Sequence, residues 1–262
     1  MLATWASAAW RPAAVIVALV LLWWLLSAAH VVKPYLLPSP ATTWTAITSN
    51  AGYLWSNTLT TAYETLAAFA VSIVFGIVAG VVMVYSKAIE KTLYPLLVLA
   101  QVVPKIALAP LFVVWLGFGN VPKILVAFLI AFFPVVVSSF VGLASVDPEI
   151  LDLAATMDAS PLQVFFRFRF PASLPHLFSG IKVAATLAVT GAVVGEFVGS
   201  NNGIGNVILE ANGNVNTPML FAGLIVLSLF GVVLFLVVEV IERLVMPWHA
   251  SHRLQSTSVM TS

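Results

Sequence analysis

Six predominantly apolar stretches, each near the length a helix needs to cross a bilayer, recur along this 262-residue chain, at about residues 12–29, 59–85, 93–115, 124–143, 178–198 and 219–241. Hydrocarbon leaves no partner for an unpaired backbone amide, so such stretches are predicted to be helices. The predicted fold class is all-α integral membrane, with about six transmembrane helices. Hydrophobic residues make up 61% of the chain and charged residues 8%, against roughly 25% charged in a soluble domain, which excludes a water-soluble globule. The net charge of +1 supplies no basic field for nucleic acid, and the absence of cysteine excludes disulfides, thiolate metal sites and thiol catalysis.

The first stretch carries Ser27-Ala28-Ala29, which also satisfies a signal-peptide cleavage site. The bulky Trp23 and Trp24 favour reading it as an uncleaved helix. The segments 33–56 and 200–218 are rich in Pro, Gly, Asn and hydroxyl residues and read as loops, the first with room for a short interfacial helix around Trp44 to Ile47, and 117–123 reads as a short polar turn. Lys and Arg near crossing ends prefer the cytoplasmic side. With the N-terminus inside, Arg11, Lys87, Lys91, Arg167, Arg169, Arg243 and Arg253 are cytoplasmic, whereas Lys33 and Lys123 lie outside. Both termini and the segment 145–175 are then cytoplasmic. Three regions follow: an N-terminal helix and external loop (1–56), a core (57–250), and a polar tail (251–262).

Catalytic and cofactor signals are missing. No Gly-x4-Gly-Lys-Ser/Thr loop occurs, Gly203-Ile204-Gly205 lacks the third glycine of a dinucleotide fingerprint, and His30, His176, His249 and His252 show no metal-ligand spacing beyond a pair in the tail. The sequence therefore assigns no catalytic, cofactor or metal residue.

The segment 145–175 is the main polar insertion, with close to a third of all the charged residues. Asp147-Pro148-Glu149 predicts a helix start over about 148–157, with an acceptor at the cap, proline in the first turn and an acid at the positive end of the dipole. Ser160-Pro161 predicts a second short helix that exposes Gln163 and ends in Arg167 and Arg169 among four phenylalanines. Two short, apolar helices outside the bilayer need a surface to rest on, either their own bundle or a cytoplasmic partner.

The same segment resembles the Glu-Ala-Ala loop of the membrane subunits of ATP-binding-cassette importers: E-A-A, three residues, G, nine residues, I-x-L-P. Those positions are Asp152-Leu153-Ala154, then Asp158, then Phe168-Arg169-Phe170-Pro171. The spacing matches without gaps, and Asp158 stands where glycine is expected in a left-handed turn, a conformation aspartate tolerates at about 1 kcal/mol. Gln101-Val102-Val103-Pro104-Lys105, Pro110-Leu111, Gly117-Phe118-Gly119, Phe133-Pro134, Gly191 to Phe197 and Gly203-Ile204-Gly205 are similar to the nitrate, sulfonate, taurine and thiamine-precursor branch, so the likeness spans residues 57–250.

The resemblance implies a type I importer permease fold in a bacterial inner membrane. It also implies a second, identical permease copy, an external solute-binding protein, and cytoplasmic ATPase subunits that hold ATP and magnesium. Asp152, Ala154, Ala155, Asp158, Ala159, Ser160, Pro161, Gln163, Arg167 and Pro171 would dock the ATPase.

Charges inside crossings are costly and invite a role. Gln101, Pro104 and Lys105 in the broken third crossing, and Glu196 in the fifth, are the candidates for a translocation path; a structural pair or an interfacial side chain is the alternative for each. Lys105 and Glu196 also supply a rival reading, an ion-coupled carrier. Glu64 is read as paired or interfacial. Gly76 and Gly80, and Gly191, Gly195 and Gly199, recur at four-residue spacing and let backbones approach closely, at a pore seam, a subunit contact or within the chain.

Overall fold

The computed structural model describes residues 2–29 and 31–247. His30, Trp248, the His249/His252 pair, Arg253 and the tail 251–262 lie outside the described residues. Helices occupy all six predicted positions: α1 (Leu2–Ala28), α2 (Pro40–Ser49), α3 (Ala51–Tyr85), α4 (Lys87–Val102), α5 (Ala109–Leu116), α6 (Asn120–Ala144), α7 (Pro148–Thr156), α8 (Pro161–Val164), α9 (Phe170–Gly199), α10 (Ile204–Gly213) and α11 (Thr217–Val245). No strand occurs among the described residues, and the all-α expectation holds.

Four helical stretches, Ala51–Tyr85, Asn120–Ala144, Pro161–Gly199 and Thr217–Val245, are long and apolar enough to cross a membrane. The third predicted crossing is a bent pair, Lys87–Val102 and Lys105–Leu116, with an angle of 82° between its halves; counted as one span it is the fifth. Its cause is local. Pro104 disfavours helical geometry at the residue before it, and Val103 is extended at φ −62°, ψ 128°. In α1 the apolar stretch Ala13–Ala28 is shorter than the other spans.

The chain divides into two compact units. One comprises the residues up to Thr60 together with Asn201–Ser228. Its core is Leu54, Ile204, Val207, Ile208 and Ala222, with Ala46, Ile47 and Met219 against it. Ser39 caps α2 by accepting from Thr42 N at 3.1 Å, the Trp23 indole donates to Pro38 O at 2.9 Å, and the buried Asn57 Oδ1 accepts from Gly203 N at 2.7 Å.

The second unit comprises Thr61–Ser200 and the chain from Leu229 on. Helices α6 and α9 form its most extensive contact. A Cβ on Gly191 would lie 2.6 Å from Ala127 Cα, and one on Gly195 would lie 2.8 Å from Lys123 Cα. Gly76 and Gly80 of α3 meet Val135 and Ser139 of α6 in the same way, and Gly199 faces Val113 and Phe118. The small-residue spacing thus serves packing within the chain.

Three expectations are corrected. The segments 33–56 and 200–218 are not simply loops: α2, the start of α3 and α10 lie in them, with Ser39 and Pro40 starting α2. Lys123 is not in an external turn: the turn ends at Gly119, α6 begins at Asn120, and Lys123 is buried. Nor is the second short helix of the insertion a separate element. From Pro161 the helix continues to Gly199 through one wide π-turn, Phe165–Arg169, closed by Phe170 N donating to Phe165 O. Pro171 lacks an N–H and crowds the carbonyl four residues earlier; the wider turn accommodates it without breaking the helix.

Candidate functional site

The insertion is built from local signals. The Asp147 carboxylate accepts from Glu149 N at 3.0 Å and starts α7. At the other end Ala159 N donates to Ala154 O at 3.0 Å and Asp158 N to Ala155 O at 3.1 Å, the paired bonds of a helix stop that requires a left-handed residue. Asp158 is that residue, with φ 52°. Next, Ser160 and Gln163 form a reciprocal capping box: Ser160 N donates to Gln163 Oε1 at 2.8 Å, and Gln163 N to Ser160 Oγ at 3.3 Å. Every predicted start and stop in residues 147–163 is therefore occupied by the side chain that the sequence places there.

The insertion is also tied to the membrane helices. Arg169 Nη1 donates to Leu143 O at 2.8 Å, taking up a carbonyl at the C-terminal end of α6. Its guanidinium lies 5.8 Å from the ring centre of Tyr85, the last residue of α3. The Tyr85 hydroxyl donates to Pro161 O at 3.4 Å, and its ring lies 6.4 Å from Phe165. Ala154 is buried. Arg169 is thus half-buried structure, while Arg167, two residues away, is exposed.

What remains uncovered is apolar. Leu153 is 60% exposed, Met157 74%, Leu162 70% and Phe166 63%. Asp152, Ala155, Asp158, Ser160, Pro161 and Gln163 are exposed beside them; Ala159 and Pro171 are half-buried. Large apolar side chains with polar neighbours on a fixed scaffold are the makings of a protein contact.

A second constellation lies inside the helices. Glu64 of α3 and Lys123 of α6 form an ion pair, both almost fully buried. Lys123 Nζ also donates to Ser200 Oγ at 3.0 Å. Glu196 of α9 is fully buried and accepts from Thr61 Oγ1 at 2.6 Å. The sequence reads Glu64 as paired or interfacial and Glu196 as lying in a crossing, and does not find the cation of Glu64, Lys123. The signal was available: Pro122 belongs in a first helical turn, which draws Lys123 into α6, and the Gly195 contact brings Glu196 to the same seam.

Lys105 sits elsewhere. At the bend it is half-exposed, its Nζ donates to Gln101 O at 3.1 Å and lies 4.6 Å from the ring centre of Phe133, while Gln101 and Pro104 are exposed. Lys105 and Glu196 thus occupy unlike environments, one at an open bend and one sealed. Among the described residues no cluster of His, Asp and Glu is arranged to hold a metal ion.

Comparison with known proteins shows the family. Residues 72–247 match the family described as "Binding-protein-dependent transport system inner membrane component". The chain is 36% identical over 226 residues to the formylaminopyrimidine transport permease protein ThiX of Halalkalibacterium halodurans, covering 86% of this chain and 90% of that one. It is 35% identical over 221 residues to the riboflavin transport system permease protein RibX of Chloroflexus aurantiacus, covering 83% and 82%. Its fold is shared with an inward-facing structure of the MetNI methionine ABC transporter at a TM-score of 0.59, 21% identity, and coverage of 70% of this chain and 94% of that one. A helical bundle with an anchored, apolar-faced insertion and this sequence match has one family: the chain belongs to the inner membrane components of binding-protein-dependent transport systems, the permease subunits of ABC importers.

Proposed function

We propose that residues 147–171 are the seat of a cytoplasmic ATPase subunit, and that this chain forms the solute path while ATP and magnesium are held by that partner. The observation that carries this reading is the exposed apolar row Leu153, Met157, Leu162 and Phe166 on an element anchored through Arg169 and Tyr85. Asp152, Ala154, Ala155, Asp158, Ala159, Ser160, Pro161, Gln163, Arg167 and Pro171 shape that seat. Because the helix from Pro161 is continuous with the membrane span to Gly199, a push on α8 becomes a tilt of α9 and of α6 packed against it.

The path itself is assigned to Gln101, Pro104, Lys105 and Glu196. Non-helical backbone at the Pro104 bend is tolerated in a membrane only against protein or water. Two such chains pair, termini on the cytoplasmic side, and an external binding protein delivers the solute. Relatives at 35–36% identity are named for formylaminopyrimidine and riboflavin, so a nitrogen-heterocyclic vitamin or its precursor is the favoured solute class.

The test is co-purification in mild detergent from the native host. Wild-type chain should bring an ATPase in about one-to-one ratio. Leu162→Arg, which puts a charge into the buried centre of the contact, should lower its recovery at least tenfold and abolish uptake with the permease still folded. Full recovery with Leu162→Arg would defeat the assignment.

A further inference from the structure

Glu210 is the only acidic residue among residues 1–60 and 201–228. It stands in α10, on the wall of a cleft of about 220 Å³ also lined by Asn50, Tyr53, Asn214, Asn216 and Met219. Tyr53 lines the cleft together with Glu210, whose carboxylate offers several acceptor positions. The rim is preformed. Asn50 Nδ2 donates to Ala46 O at 2.9 Å, and Asn216 Oδ1 accepts from Met219 N at 3.3 Å. Val215, at φ 55°, takes the left-handed position of the helix stop, with Asn216 N bonded to Ala211 O at 2.8 Å, and so folds the rim back beside Glu210.

The cleft is open: Tyr53, Glu210, Asn214 and Asn216 are all exposed. Small-molecule sites bury most of their ligand's surface, whereas a shallow acidic cleft suits one side chain presented by a large partner. A carboxylate flanked by amides matches the planar, five-donor guanidinium of arginine and, less fully, a lysine ammonium. Position also constrains the partner. Asn50 and Tyr53 belong to segment 33–56, and Glu210, Asn214 and Asn216 to segment 200–218, the two segments that the Lys and Arg distribution puts outside.

We infer that the Glu210 cleft anchors a basic side chain of the external solute-binding protein. The inference rests on the import reading above and names the contact on the delivery side. It is tested by placing the photo-cross-linker benzoylphenylalanine at Asn214, illuminating intact cells of the native host, and identifying the product by mass spectrometry. The expected product is an exported solute-binding protein cross-linked next to an Arg or Lys. Glu210→Lys should cut its yield at least tenfold and Glu210→Gln severalfold, both with the ATPase still bound. Changing the cross-linked basic residue to Glu should restore both cross-link and uptake in the Glu210→Lys background. An undiminished cross-link in Glu210→Lys, or a loss that the reversed charge does not restore, overturns the anchor. Lost uptake with an intact cross-link also overturns it and moves Glu210 to solute contact. Absence of any ATPase from the wild-type complex defeats the import reading itself, an outcome separate from failure of the charge swap alone.

Discussion

Residues 147–171 leave Leu153, Met157, Leu162 and Phe166 in the open and satisfy their backbone with caps two to five residues away, whereas Glu64, Lys123 and Glu196 are sealed among helices and are satisfied by groups far off in sequence. Substitutions should therefore act oppositely in the two places. At the insertion they alter association and local helix ends. Inside the bundle they alter whether the bundle holds, because a buried charge without its partner keeps the full desolvation penalty.

The largest expected effect is at Lys123. Lys123→Met leaves Glu64 buried without its cation and should cost about 3–5 kcal/mol, seen as loss of detergent-stable protein in size-exclusion profiles and a much lower Tm. Glu64→Leu combined with Lys123→Met removes both charges and should recover most of that stability. A single variant as stable as wild type would erase the contrast between the regions. Ser160→Ala removes one side of the capping box and should cost about 1 kcal/mol, within the usual range for a lost N-cap. Its signature is a modest fall in ATPase recovery with the Tm of the bundle unchanged; an equal fall in both would mean that insertion and bundle melt as one. The smallest effect is at Asp158, where φ is 52°. Asp158→Gly relieves the left-handed strain but loosens the unfolded chain, so a net change within about 1 kcal/mol is expected, read as a small change in protection of the 154–160 amides from hydrogen exchange.

The insertion was legible because its rules are local. A cap acceptor, a first-turn proline and a residue tolerant of positive φ announce themselves within a few positions, and Asp147, Asp158 and Ser160 occupy those roles. The continuity of α8 with α9 was not legible, because Arg167 and Arg169 among four phenylalanines, with Pro171 after them, read as an ending, and only the π-turn shows how the helix passes them. Arg169 was equally hidden: nothing near it in sequence says that its partner is the carbonyl of Leu143.

By itself the sequence determined that this chain is a helical membrane protein, where its crossings lie, where the insertion begins and turns, and that the third crossing is broken at Pro104. These follow from apolar length, backbone satisfaction and proline geometry, which act over a few to about twenty residues. Only the tertiary structure decided that Lys123 turns inward to Glu64 beside Glu196, that Gly191 and Gly195 seat α9 on α6, and that Glu210 shares a cleft with Tyr53. Those depend on which helix faces meet, and side chains more than a hundred residues apart, such as Thr61 and Glu196, acquire a common environment only when the helices have packed.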